Sequence, residues 1–274
     1  MPSSPRLRLS EMVSRPESEI DLAAGALLIA AEEYPQLQLA PYLRRLDLLA
    51  ERVYDRLSGE TAAPVALQEL CHVLFREEDF RGNADAYYDP RNSFLNDVLD
   101  RRLGIPITLG IVMLEVGRRV GLPLRGINFP GHFLVRYEGP VARLLIDPFD
   151  AGRARWEDQG QELLDRVYGG MVRMRDEFLA PATPSDILAR VLTNLKGIYL
   201  NTRDDARALT AVDRILLIRP SAPVELRDRG LLLARSGRKD EAVADLERYL
   251  DFAPSAPDAQ RVRSLIDDLS RGRA

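Results

Sequence analysis

The chain has 274 residues, 46% hydrophobic and 29% charged, the balance of a globular protein with a real core and room for one large or two modest domains. A formal net charge of −4 gives no reason to expect nucleic acid or an anionic membrane as a partner. The single cysteine, Cys71, rules out an intrachain disulfide and points to a reducing compartment.

Residues 1–16 carry Pro2, Pro5 and Pro16 among serines and arginines and read as a loose arm. They do not have the charged-then-apolar form of a signal segment, and the apolar run Leu22–Ala31 is too short to span a bilayer. The expected location is the cytoplasm. Residues 17–92 read as a helical subdomain. Ile20, Ala23, Ala24, Leu27, Leu28 and Ala31 recur at helical spacing, and Pro35 closes that helix. Pro41 suits the first turn of a second helix reaching Leu57, and a third is expected from Pro64 to Phe75. Gly82-Asn83 and Tyr87-Tyr88-Asp89-Pro90 then leave only turns.

Residues 93–180 hold the centre of the chain. Ser93 is placed to cap a helix over Phe94–Leu103, and Gly104-Ile105-Pro106 launches a second helix that Gly121 stops. Apolar residues spread around that helix, which marks it as buried. Strands are expected at Leu124–Phe129, His132–Tyr137 and Ala142–Ile146. Adjacent antiparallel strands would bring His132, at the start of one, to Asp147, at the end of the next. A helix over Asp158–Val167 follows, and Gly169-Gly170 with Pro181–Pro184 marks a boundary.

Residues 185–274 are helical only. Pro220-Ser221-Ala222-Pro223 recurs 34 residues later as Pro254-Ser255-Ala256-Pro257. Ala208, Val212, Ile215 and Leu216 fall opposite Ala242, Leu246, Tyr249 and Leu250 at the same offset. That is the tetratricopeptide period. About two units are present, fewer than the three usually needed for independent stability, so this tail is expected to pack on the core.

The buried helix, Gly121-Leu122-Pro123, His132 and Asp147-Pro148 resemble the transglutaminase-like branch of the papain-type cysteine enzymes. More closely, the stretch from Gly82 to Gly110, with Phe129-Pro130-Gly131-His132 and Ile146-Asp147-Pro148-Phe149, looks like the SirB-type bacterial family. The resemblance covers nearly the whole chain. It implies an α+β fold: a transglutaminase-like core with a small antiparallel sheet, an N-terminal helical subdomain and all-α tetratricopeptide-like repeats. It also implies a Cys–His–Asp triad in which His132 is the base and Asp147 fixes its tautomer. The nucleophile position falls at about Thr108, and neither it nor Pro106 or Ile107 is a cysteine.

A hydroxyl, with a pKa far above a thiol's, does not replace a thiolate simply, so Thr108 reads as a cap or packing residue at the helix start. The leading functional reading is a non-catalytic protein with a regulatory or protein-interaction role, binding a protein or peptide through its repeats, its cleft or both. One alternative is an amide or peptide-bond hydrolase or acyl transferase using Thr108 or Cys71. Another is a cleft that holds a small molecule without turnover. Cys71 lies beside His72, but adjacent helical residues point to different faces; a buried, inert thiol is expected. Asn83, Tyr87, Asp89, Asn92 and Ser93 recur in the family pattern. They are candidates for lining the cleft, with turn and cap chemistry as the plainer reading. Two histidines and one cysteine are too few for a metal site, and no glycine-rich run makes a phosphate loop, so neither a metal nor a cofactor is expected.

Overall fold

The computed structural model describes residues 4–59, 62–139 and 143–271. Residues 1–3 of the expected arm, Ala142 at the expected start of a strand, and residues 272–274 lie outside them. The chain divides into two compact units, Met1–Val191 and Leu192–Ala274. The division falls inside a helix, ten residues beyond the Pro181 boundary marked by composition.

The first unit opens with α1 (Pro5–Val13), where a loose arm was expected. Ser4 accepts the Leu7 amide as an N-cap, Pro5 occupies the first turn, and Leu9 is fully buried. The prolines that suggested disorder start a helix, because the missing N–H costs nothing in a first turn. α2 (Leu22–Glu33) is capped by Asp21 and buries almost every position, and α3 (Leu39–Leu57) buries one stripe through Leu46, Leu49 and Val53. α4 (Ala63–His72) ends earlier than expected and passes into a π-helical turn over Val73–Glu77.

Two short parallel strands, β1 (Arg81–Gly82) and β2 (Leu103–Gly104), flank α5 (Leu95–Arg101). Ser93 does not cap α5. It closes the 3-10 turn Pro90–Asn92 in right-handed helical geometry, and Phe94, with extended backbone, takes the cap position.

α6 (Pro106–Arg119) is the centre of this unit: Pro106 to Met113 are all buried, as are Glu115, Val116 and Gly117. α2, α3, α4 and α5 pack against it. A four-stranded antiparallel sheet also packs on it, formed in sequence order by β3 (Leu124–Ile127), β4 (Leu134–Glu138), β5 (Arg143–Asp147) and β6 (Arg153–Trp156). β6 was not anticipated. Two glycines let the layers meet. A Cβ on Gly110 would lie 2.5 Å from the Phe133 ring, and one on Gly117 would lie 2.3 Å from Leu124, too close for any side chain in a well-packed core. α7 (Gly160–Tyr168) and α8 (Pro184–Asn201) follow the sheet.

The second unit holds the C-terminal part of α8 and four further helices: α9 (Asp205–Ile218), α10 (Pro223–Arg235), α11 (Lys239–Phe252) and α12 (Ala259–Ser270). α9 and α11 have the same length and lie one 34-residue period apart. Ala208 and Ala242, Val212 and Leu246, and Ile215 and Tyr249 are buried in matching places. Lys196, largely buried, donates to Glu225 and Asp228, each at 2.8 Å. Burial lowers its pKa, but the bonds to Asp228 and Glu225 outweigh that and leave it raised.

Candidate functional site

The register of the sheet builds the site. Ile127 pairs with Leu134, and Val135 with Ile146, so the turn before β4 and the end of β5 lie at one edge. Gly131 holds φ at +68°, which a side chain there would disfavour, and the His132 amide closes the turn onto Phe129 O at 3.0 Å. His132 Nε2 then lies 2.9 Å from Asp147 Oδ1. The same oxygen accepts the amides of Phe149 and Asp150 at 3.1 and 3.3 Å, and Arg155 Nη1 lies 3.8 Å from Oδ2. A carboxylate only accepts, so Nε2 donates, and the neutral ring keeps its lone pair on Nδ1. Nδ1 has no hydrogen-bond partner among the described residues. The His132 side chain is 17% exposed and that of Asp147 is 6% exposed.

This edge faces the start of α6. The Phe149 ring sits 2.5 Å from where a Gly82 Cβ would be, and Gly82 pairs with Gly104, two residues before α6 begins. The structure therefore brings His132 and Asp147 together at that end of the helix.

It does not turn Thr108 toward them. Thr108 is fully buried. Its Oγ1 donates to Asn92 O at 2.7 Å and accepts the Ile105 amide at 3.1 Å, reaching back to the residue that precedes the helix. Cys71 is half-buried rather than buried; burial still pushes its thiol up to about 11. It backs the loop after Asp147: its Sγ is 3.4 Å from where a Gly152 Cβ would lie.

Of the loop candidates, Asn83 and Asn92 are spent on the loop itself. Asn83 donates to Asn92 Oδ1 at 3.0 Å and accepts the Ala86 amide at 3.1 Å, and Asn92 donates to Ala86 O at 2.7 Å and Tyr87 O at 3.2 Å. Asp89 caps the Pro90–Asn92 turn and pairs with Arg91 at 2.7 Å. Ser93 is 2% exposed, and its hydroxyl has no hydrogen-bond partner among the described residues. Tyr87 alone reaches the His132 edge. Its ring meets Phe149 at 5.9 Å, and Phe149 meets His132 at 6.3 Å, both edge to face.

Three residues at this edge escape sequence reasoning. Arg190, on α8, donates to His132 O at 2.7 Å, Phe129 O at 3.3 Å and Asn128 Oδ1 at 3.4 Å. The Tyr168 hydroxyl is 3.2 Å from where a Gly131 Cβ would lie. Arg155 lies beneath Asp147. Each looks in sequence like an ordinary charge or aromatic on an amphipathic element, and only the fold gathers them.

A cavity of about 1130 Å³ lies elsewhere, along the second half of α6. It is lined by Glu19, Leu114, Arg118, Arg125, Glu138 and Pro181 among others. Among the described residues no three His, Cys, Asp or Glu side chains converge on a possible metal position, and no helix is long and apolar enough to cross a membrane.

Residues 40–193 match the model of the transglutaminase-like superfamily, and residues 195–267 match a tetratricopeptide-repeat model. A UPF0162 protein of Xylella fastidiosa is 40% identical over 260 residues, covering 94% of this chain and 92% of the relative. A UPF0162 protein of Pseudomonas aeruginosa is 31% identical over 91% of each. The protein SirB1 of Salmonella typhimurium is 27% identical, covering 85% of this chain and 90% of its own. No solved structure matches.

Proposed function

The chain belongs to the SirB1/UPF0162 family of transglutaminase-like proteins with C-terminal tetratricopeptide repeats, and from that membership we propose that its core is a non-catalytic relative of the acyl-transfer enzymes, holding a ligand at a cleft that has a base but no nucleophile. The observation that carries this reading is the Thr108 hydroxyl, fully buried and bonded to Asn92 O and the Ile105 amide. An acyl transfer in this fold class needs a nucleophile exposed to the substrate and able to give its proton to the histidine. Thr108 satisfies neither condition, and an alcohol's proton is in any case far less acidic than a thiol's. Cys71 is no replacement, because burial has moved its thiol away from neutrality. The repeats fit the same reading, since stacked helical repeats present extended surfaces that bind other proteins.

The test is acyl-enzyme formation by the full chain. An aryl ester and a glutamine-containing peptide serve as acyl donors, and hydroxylamine serves as the trap. The expected result is hydroxamate formation no faster than with His132→Ala. Turnover that disappears in Thr108→Ala or Cys71→Ser would overturn the reading.

A further inference from the structure

The His132 edge leaves a positive charge unanswered. Arg190 is half-buried, and its Nη1 and Nη2 groups are engaged by the carbonyls of Phe129 and His132 and the Asn128 side chain. Those three neutral acceptors pin the turn. They do not neutralise the guanidinium, and no carboxylate pairs with Arg190 among the described residues, where most other arginines have one. Its Nε–H has no partner among them either. Removing a cation from water without a counter-charge is costly; the burial depresses the guanidinium's pKa, and the only groups opposing this are the phenols of Tyr87 and Tyr168.

Both phenols border the same edge. Tyr87 lies on the Phe149 ring that meets His132, and Tyr168 lies against Gly131. Neither hydroxyl has a hydrogen-bond partner among the described residues, and nor does His132 Nδ1. Four groups able to make hydrogen bonds therefore lie around one turn with no partner among the described residues. Nearby, the Asn83 and Asn92 side chains are bonded within their own loop.

We propose that Arg190, with the hydroxyls of Tyr87 and Tyr168, forms a carboxylate-binding subsite beside His132, and that its occupant is an acylated amino-acid carboxylate, either the free C-terminus of a peptide or an N-acyl amino acid. A guanidinium edge matches a carboxylate in geometry as well as charge. An acylated amino acid also carries an N–H two bonds from its carboxylate carbon, the donor that the His132 Nδ1 lone pair lacks. The exposed side of the Tyr87 and Phe149 rings suits an apolar side chain. The inference rests on the reading of the cleft as a site that holds a ligand, and it adds the class of that ligand.

The chain has two histidines, so His72→Gln leaves His132 as the one imidazole visible by proton NMR. Its C2 proton is followed at constant pH while N-acetylphenylalanine, its primary amide, an acetylated tetrapeptide with a free or amidated C-terminus, and inorganic phosphate are added separately. Saturable shifts with the free carboxylates are expected, with at least about tenfold weaker binding of the amides. Arg190→Gln should weaken carboxylate binding by at least about tenfold, and Tyr87→Phe by about two- to fivefold. The unliganded His132 signal reports whether the turn survives in each variant. Tighter binding of the tetrapeptide assigns the site to a protein chain end, and equal binding assigns it to a free acyl amino acid.

Equal binding of amide and carboxylate, phosphate binding as tightly as the carboxylates, or unchanged binding in both variants would overturn the subsite. Free acetate appearing in the same spectra, and absent with His132→Ala, would instead overturn the non-catalytic reading and leave the subsite standing. A cleft silent to every carboxylate, with no acetate formed, would overturn the subsite alone.

Discussion

Two polar clusters sit near the start of α6, and they differ in one respect. Around Asn92 the cluster is closed: Asn83, Asn92 and Thr108 spend their side chains on one another and on the carbonyls of residues 86, 87 and 92. Around His132 the cluster is open: the Asp147 bond is made, but Nδ1, two phenols and Arg190 Nε have no partner among the described residues. A buried polar group must be paired or it costs stability. The closed cluster is accounted for within the fold, whereas the open one keeps the groups that the proposed carboxylate would engage. The positions at which the family resemblance leads one to expect a triad fall on both sides of this contrast: Thr108 is in the closed cluster, His132 and Asp147 are in the open one.

The largest effect that sharpens this contrast is expected at Asn92. Asn92→Ala removes a fully buried side chain and leaves the Asn83 amide and the carbonyls of Ala86 and Tyr87 without these bonds. The expected loss is about 3 kcal/mol. His132→Ala removes one bond from a partly exposed ring, and Asp147 keeps the amides of Phe149 and Asp150, so the loss should stay below about 1 kcal/mol. Urea unfolding followed by the fluorescence of Trp156, the chain's single tryptophan, compares the two within the first unit. Equal losses would erase the distinction between closed and open.

How far the sequence carried this argument depends on where each signal lies. The His132–Asp147 pair was legible because antiparallel strands bring such positions together by register, and register follows from alternation and turn residues. The 34-residue repeat was legible because Pro-Ser-Ala-Pro recurs intact. α1 was misread because three prolines outweighed a single buried leucine, Leu9. Ser93 was misread as a cap because the 3-10 turn before it shifted the helix start by one residue, and cap residues are reliable only once the boundary is known. Arg190 could not be read at all. It is separated from His132 by |i−j| = 58, and nothing local distinguishes it from a solvated helix arginine.

A smaller effect is expected at Thr108, where the test is whether the hydroxyl serves the fold. Thr108→Val keeps the branched shape and removes the bonds to Asn92 O and the Ile105 amide. It should cost about 2 kcal/mol in the same urea experiment. Thr108→Ser keeps the hydroxyl and should cost less than half of that. If Val is tolerated as well as Ser, the hydroxyl is not structural, and Thr108 becomes available to the open cluster as a chemical group.

The smallest effect on the fold, and the sharpest on chemistry, concerns Cys71. It backs the loop that follows Asp147, on the far side of Gly152, so it could belong to either cluster. Burial holds its thiol up at about 11, while an ordinary free cysteine titrates near 8.5. At pH 7 the thiolate fraction is then lower by more than two orders of magnitude, and the greater nucleophilicity of a more basic thiolate recovers only part of that. Alkylation by iodoacetamide should be roughly 10- to 100-fold slower than for an unfolded control. The rate should keep rising with pH past the point where the control levels off. The sign of the linked stability change is fixed by the same shift: the unfolded chain releases the thiol proton first, so this group makes the fold less stable as pH rises through the unfolded value toward the folded one. Rapid labelling near neutrality, slowed by His132→Ala, would connect Cys71 to the open cluster and give the cleft the nucleophile that Thr108 does not supply.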